Sequence, residues 1–385
     1  MTYRSLGSRS RGSRLILVPV VTAVVLLLAV GSLLAINYNH FGNLAKVVTL
    51  IRVQYLQPVS STQLVDGAIK GIMSSLGDPY SVYLEPKIYS QLQEQIKGSF
   101  VGLGIVVGIK EQYLTVVRSY QGTPAAKKGI TAGDIITRIN DSDVKGIDLE
   151  TAVRLMRGPV GSTVYLTVNR QGVSDPLEFI LVREEINVPT VEGKVLAGTN
   201  IGYIVISQFT ERTAEELRDT ISGLQGEHIN GLILDVRDNP GGYLTAAVNV
   251  AKNFIPKGPI VYIDYRNGKD QEYFSEGKNI QLPLVVLING GSASASEILA
   301  GAVKDTGAGT LVGSKTFGKG LVQTLFPLGN GAGLKLTTAR YLTPGKNDIH
   351  QKGIEPDVLV QSLDDRSRDV QIEQAVEIMK QKIAG

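Results

Sequence analysis

Leu284-Val285-Val286-Leu287-Ile288-Asn289-Gly290-Gly291-Ser292-Ala293-Ser294-Ala295-Ser296-Glu297 passes from an unbroken apolar run, through a glycine turn, to a cluster of serines. The first five residues have the length and β-branched content of a buried strand, and the run breaks at Asn289-Gly290-Gly291. Ile298, Leu299, Ala302 and Val303 then recur at helical spacing. Strand, turn and helix therefore meet at the serines. A hydroxyl held there sits at a helix N-terminus, where free N–H groups and the helix dipole stabilise a developing oxyanion. Serine nucleophiles are commonly presented this way.

A serine is inert at neutral pH without a base. The chain has no cysteine and three histidines, His40, His228 and His350, none in an obvious catalytic setting. Downstream stands Gly313-Ser314-Lys315-Thr316-Phe317-Gly318-Lys319-Gly320-Leu321-Val322-Gln323, with Lys319 between glycines. Free lysine titrates near ~10.4, so about one amine in a few thousand is neutral at pH 7. Burial lowering that by roughly three units requires about 4 kcal/mol of differential solvation, and hence a dry, partly enclosed lysine. Lys315 lacks the flanking glycines and is the weaker candidate.

Together these stretches resemble the serine/lysine centre of the C-terminal processing peptidases, or tail-specific proteases. The resemblance covers nearly the whole chain. It implies that Ser294 is the nucleophile, Lys319 its base and Gln323 the residue that orients the lysine. It implies a crotonase-like serine protease core of α/β class with an inserted PDZ domain. Upstream, the strand pattern Gly231-Leu232-Ile233-Leu234-Asp235-Val236 ends in Arg237-Asp238-Asn239-Pro240-Gly241-Gly242. Such a turn is often no more than a turn. By the resemblance, one of its glycine N–H groups, Gly241 first and Gly242 second, joins the Ala295 N–H in the oxyanion hole.

Between Phe100 and Arg183 the pattern changes to short strands with one or two helices. Val101-Gly102-Leu103-Gly104-Ile105, the turn Gly122-Thr123-Pro124, Gly133-Asp134-Ile135-Ile136, a helix over 149–157 and a strand over 163–169 are similar, in this order, to a circularly permuted PDZ module. Its job would be β-augmentation, with the N–H groups of Leu103, Gly104 and Ile105 holding the carboxylate of a substrate tail. Arg157, after the module's helix, is by the resemblance a regulatory link to the protease; the competing reading is that it satisfies last-turn carbonyls. Residues 76–84, Leu-Gly-Asp-Pro-Tyr-Ser-Val-Tyr-Leu, are similar to a family motif with Tyr80 in place of a histidine. The local reading there is a turn that packs Tyr83 against the core.

The net charge of +3 is misleading. Arg4, Arg9, Arg11 and Arg14 crowd the start, and without them 35 basic residues face 36 acidic ones, so nucleic-acid binding gains no support. Residues 15–36 are uncharged, and as a helix they reach roughly 33 Å, enough to cross a bilayer. The arginines before the run place everything after it outside the cytoplasm. Cleavage as a signal peptide near Ala29-Val30-Gly31 is the alternative to an uncleaved anchor.

The expected organisation is a cytoplasmic basic tail at 1–14, a transmembrane signal-anchor at 15–36, an N-terminal helical part of the protease at 43–97, a PDZ domain at 98–185 and an α/β core with a C-terminal helix at 186–385. Helical spacing is read over 43–55 and 61–76, and the amphipathic pattern over 369–383 leaves self-association as a dimer open. No spacing matches a metal-ligand set, and no cofactor is implied. The expected partners are protein or peptide substrates taken by their C-terminal tails, and the membrane through the N-terminal run. Two other readings stay open: an inactive PDZ scaffold, and a crotonase-type acyl-transfer enzyme sharing only the architecture.

Overall fold

The apolar run forms the strand Leu284–Ile288, all five residues buried. In the computed structural model, which describes residues 24–25, 38–266, 268–361 and 368–384, it is the fourth of six strands in one sheet. The spatial order is Val191–Val195, Ile201–Ile206, Gly231–Asp235, Leu284–Ile288, Thr310–Gly313 and Val358–Leu359. The first pairing is antiparallel and every later one parallel. A parallel sheet is covered on both faces, which is why this strand reads as continuous rather than alternating hydrophobicity.

The two faces can be assigned residue by residue. Leu284, Val286 and Ile288 pack with the helices Thr213–Gly226, Leu244–Ala251 and Ala295–Thr306 in the larger core. Val285 and Leu287 pack with Ala375 and Met379 of the C-terminal helix Val370–Ala384. Each buried side chain contributes about 2 kcal/mol of transfer free energy, so this strand anchors both layers. Gly231 allows the C-terminal helix to approach, since a Cβ there would lie 2.3 Å from the Met379 sulfur.

Parallel pairing brings the carboxyl ends of neighbouring strands to one edge, where open α/β sheets gather their ligand sites. Three turns meet there: residues 236–243 after Gly231–Asp235, residues 289–294 after Leu284–Ile288, and residues 314–320 after Thr310–Gly313. A second, antiparallel sheet contains Val82–Leu84, Gly333–Leu342, Gly258–Tyr265 and Gln271–Ser275, with Leu321–Pro327 also paired to Gly333–Leu342.

The region expected to be a PDZ module has its own sheet, in the order Ile105–Lys110, Tyr113–Ser119, Ile135–Ile139, Thr163–Asn169, Leu177–Val182, and its own hydrophobic core. Its entering strand Ser99–Gly102 pairs antiparallel with its leaving strand Glu184–Asn187. The chain thus goes out and returns along one short ribbon.

Two compact units divide at Gly77/Asp78, inside the segment 43–97 read above as one helical part. The first contains the helices Tyr38–Gln54 and Ser61–Ser74, the latter capped by the Ser60 hydroxyl, which accepts the Gln63 N–H at 3.1 Å. The basic tail and all of the uncharged run except Val24 and Val25 lie outside the described residues. Among the described residues, no helix is long and apolar enough to cross a membrane.

Candidate active site

The three serines of the turn are not equivalent. Ser292 and Ser296 are fully buried, and their hydroxyls donate to the backbone carbonyls of Val236 at 2.7 Å and Asn239 at 2.9 Å. Both tie the serine turn to the neighbouring turn. Ser294 is half-buried, lines a cleft of about 500 Å³, and its hydroxyl donates to no acceptor among the described residues. Its φ of 56° is rare for a side chain with a Cβ, the kind of strain that presents a reactive group at a strand-to-helix turn.

Glu297, one turn into the helix, holds this conformation. Its side chain is wholly buried and accepts four hydrogen bonds. Oε2 takes the N–H groups of Ser294 and Lys319, each at 2.8 Å. Oε1 takes the Thr316 hydroxyl at 2.6 Å and the Gly318 N–H at 2.7 Å. One carboxylate therefore fixes the backbone of Ser294 to that of Lys319.

Lys319 is half-buried and lines the same cleft, as the need for an enclosed amine requires. Burial pushes its pKa below the usual lysine range and the nearby Lys335 adds to this, against the opposing attraction of Asp78 and Glu297. Its Nζ lies over the Tyr80 ring, 4.9 Å from the centroid. Asp78 sets that turn, accepting the Tyr80 N–H at 2.9 Å and the Ser81 hydroxyl, while Tyr83 is buried in the strand that follows. Lys315 is exposed and pairs with Glu355 at 2.9 Å.

Gln323 also lines the cleft, but its Nε2 makes a long 3.4 Å contact with the Thr337 hydroxyl. Among the described residues, no hydrogen bond joins Lys319 Nζ to Ser294 Oγ or to Gln323. The three residues share one cleft without their chemical contacts, as is common before substrate tightens a site.

Gly241 abuts the serine turn so closely that a Cβ would lie 2.7 Å from the Ala293 carbonyl and 2.8 Å from the Ala295 nitrogen. Its own N–H, however, donates to the Asn239 side chain at 2.9 Å. The N–H groups of Gly242 and Ala295 have no acceptor among the described residues, and both residues line the cleft. This geometry reverses the expected order, making Gly242 the stronger donor candidate beside Ala295.

In the second module Leu103 and Ile105 line a groove of about 260 Å³ between the edge strand Ile105–Lys110 and the helix Leu149–Met156. Gly104 sits between them at φ 77°, and a Cβ there would strike Thr123 at 2.2 Å. Arg157 lines the groove as well. It does not serve the last-turn carbonyls; Arg183 does, donating to Met156 O at 2.8 Å and Leu155 O at 3.0 Å. Arg157 instead pairs with Glu94 at 2.8 Å, on the helix Pro86–Lys97. Leu92, Gln95 and Ile96 of that helix line the cleft that Ser294 and Lys319 share. Among the described residues no cluster of His, Asp and Glu could hold a metal ion.

Comparison with known proteins finds three matching family profiles along the chain. Residues 200–360 match the profile of peptidase family S41, residues 115–170 that of a PDZ domain, and residues 32–88 that of the N-terminal domain of the activating protease CtpB. The chain is 41% identical over 323 residues to the carboxy-terminal processing protease CtpB of Bacillus subtilis, covering 83% of this chain and 67% of that protein. It is 40% identical over 332 residues to the carboxy-terminal-processing protease of Bartonella bacilliformis, covering 84% of this chain and 76% of the other. Among solved structures it is similar to the photosystem II D1 C-terminal processing protease, at 32% identity and a TM-score of 0.50 over 85% of this chain and 89% of that one.

Proposed function

The chain belongs to the carboxy-terminal processing proteases of peptidase family S41, which are serine peptidases, and from that membership we propose that it cleaves proteins near their C-termini through a Ser294/Lys319 centre. The observation that carries the reading is the selection among three serines: two hydroxyls are bound into the fold, while the third opens on a cleft that the half-buried Lys319 also lines.

In the working arrangement the Lys319 side chain leaves the Tyr80 ring and turns to Ser294. The neutral amine accepts the hydroxyl proton as Oγ attacks the peptide carbonyl, then returns that proton to the leaving amine. Gln323 holds the amine in place. The N–H groups of Gly242 and Ala295 receive the oxyanion, each such donor being worth about 3 kcal/mol in the transition state. Gly241 serves by its lack of a side chain.

Recognition precedes chemistry in this reading. A substrate tail adds to the edge strand Ile105–Lys110, its carboxylate at Leu103, Gly104 and Ile105. Arg157 touches both that groove and, through Glu94, the helix bordering the catalytic cleft, so an occupied groove shifts the Lys319 arrangement. The core is of crotonase type, and the PDZ domain occupies 98–185. The uncharged run 15–36 anchors the protein, with the protease on the extracytoplasmic side of the cell membrane. The terminal helices provide for a homodimer.

The test is labelling of the purified full chain with a fluorophosphonate, together with cleavage of a peptide bearing an apolar C-terminal tail. Ser294→Ala loses both, and Lys319→Ala loses cleavage. Labelling that survives Ser294→Ala would move the nucleophile elsewhere. Absence of labelling and cleavage in the parent protein would favour a scaffold, and turnover of thioesters without proteolysis would favour acyl transfer.

A further inference from the structure

The cleft that holds Ser294 contains a second lysine. Lys335 lies on Gly333–Leu342, where Leu325 is its cross-strand partner and Gln323 is paired with Thr337. Steps of two along a ladder return to the same face, so Lys335 stands one pair along from the glutamine proposed to hold Lys319. Lys335, Leu325, Gln323 and Lys319 all line the cleft. Lys335 is half-buried, and no acidic side chain pairs with it among the described residues. A half-enclosed cation without a counter-ion does little for stability.

The ionisable groups around Lys319 come from every neighbouring element. Asp78 and Tyr80 belong to the turn below it, Glu297 to the serine helix and Lys335 to the strand. His350 backs onto Gly320 and faces Asp78. Asp78 and Glu297 favour an ammonium at Lys319, and Lys335 opposes one.

We infer that Lys335 is a positioning residue for the reaction, its charge on the cleft wall discouraging a second positive charge and so keeping the Lys319 amine available as a base. The inference rests on the Ser294/Lys319 reading. Burial is the larger influence on Lys319 and Lys335 the second. A like charge beside a partly enclosed amine lowers the pH at which that amine loses its proton.

The experiment is kcat/KM for peptide cleavage by the full chain between about pH 6 and about pH 10, with thermal melts run alongside. Activity needs the neutral amine, so it rises with pH through the Lys319 pKa. Lys335→Met removes a lowering influence, that pKa rises, and the acid limb moves up by about half a unit to one unit, a threefold to tenfold loss below it, with the high-pH plateau kept. Lys335→Arg restores the parent limb, and Lys335→Gln repeats the shift if the methionine variant melts early. An unmoved limb overturns the inference. So does a higher KM at every pH with the limb in place, which would make Lys335 a substrate contact. If Lys319→Ala still cleaves, the serine/lysine reading itself falls; if it is inactive while Lys335→Met keeps the parent limb, only the role of Lys335 falls.

Discussion

Replacing Glu297 with glutamine changes almost no volume and tests whether one carboxylate assembles the active site. The native oxygens accept four hydrogen bonds in a fully buried setting. A glutamine keeps one oxygen and turns an NH₂ toward two of the four donors, whichever way it is oriented. The milder orientation keeps the oxygen on the Ser294 and Lys319 N–H groups and turns the NH₂ toward the Gly318 N–H and the Thr316 hydroxyl, which can rotate to accept; one buried N–H left unmatched and the lost charge assistance of the other bonds cost roughly 3 kcal/mol. In a domain of this size that lowers the melting temperature by roughly 10 °C. Because the Gly318 N–H released in this way adjoins Lys319, the amine loses its placement and kcat should fall by about a hundredfold, the order expected for misplaced catalytic groups. Calorimetry, peptide cleavage and fluorophosphonate labelling measure these separately. A variant that melts within about 2 °C of the parent and keeps its kcat would refute the reasoning.

Three further outcomes follow. Cleavage by the parent protein should rise with pH along an acid limb below the ordinary lysine value of about 10.4, because Lys319 is shifted down and the proposed mechanism uses its neutral form; a rate independent of pH from about 6 to about 10 would contradict this. Tyr80→Leu removes the ring beneath the ammonium, a contact worth about 0.5–1 kcal/mol, so tail-independent cleavage should rise about twofold to fivefold and the acid limb should move to lower pH. Gly104→Ala forces a Cβ into Thr123 and into a backbone conformation unsuited to it, so calorimetric titration should show tail-peptide affinity falling by at least about tenfold while tail-independent cleavage stays at the parent level.

The strand-turn-helix at 284–306 and the enclosed lysine were legible because each is local: an apolar run, two glycines and a helical repeat stand within one short window. The helix read over 61–76 ends at Ser74, and the one read over 43–55 spans Tyr38–Gln54. Glu297 was half legible. Its spacing from Ser294 is that of a capping box, but its other partners arrive from Thr316, Gly318 and Lys319, far along the chain. The order of Gly241 and Gly242 could not be read, because it depends on where the Asn239 amide turns. Nor could the division of labour between Arg157 and Arg183, since the residue that serves the helix end comes from the link between two strands, 27 positions away. The place of Tyr80 beneath Lys319 is likewise a product of long-range packing.

The ribbon of Ser99–Gly102 against Glu184–Asn187 has a consequence for how such an enzyme can change its clientele. Departure and return through a single doorway mean that the catalytic sheet meets the same two chain ends whatever is hung between them. A different peptide reader, or none, could be spliced at that hinge with little strain on the cleavage machinery. Address and blade can then diverge separately, by exchange of one cassette.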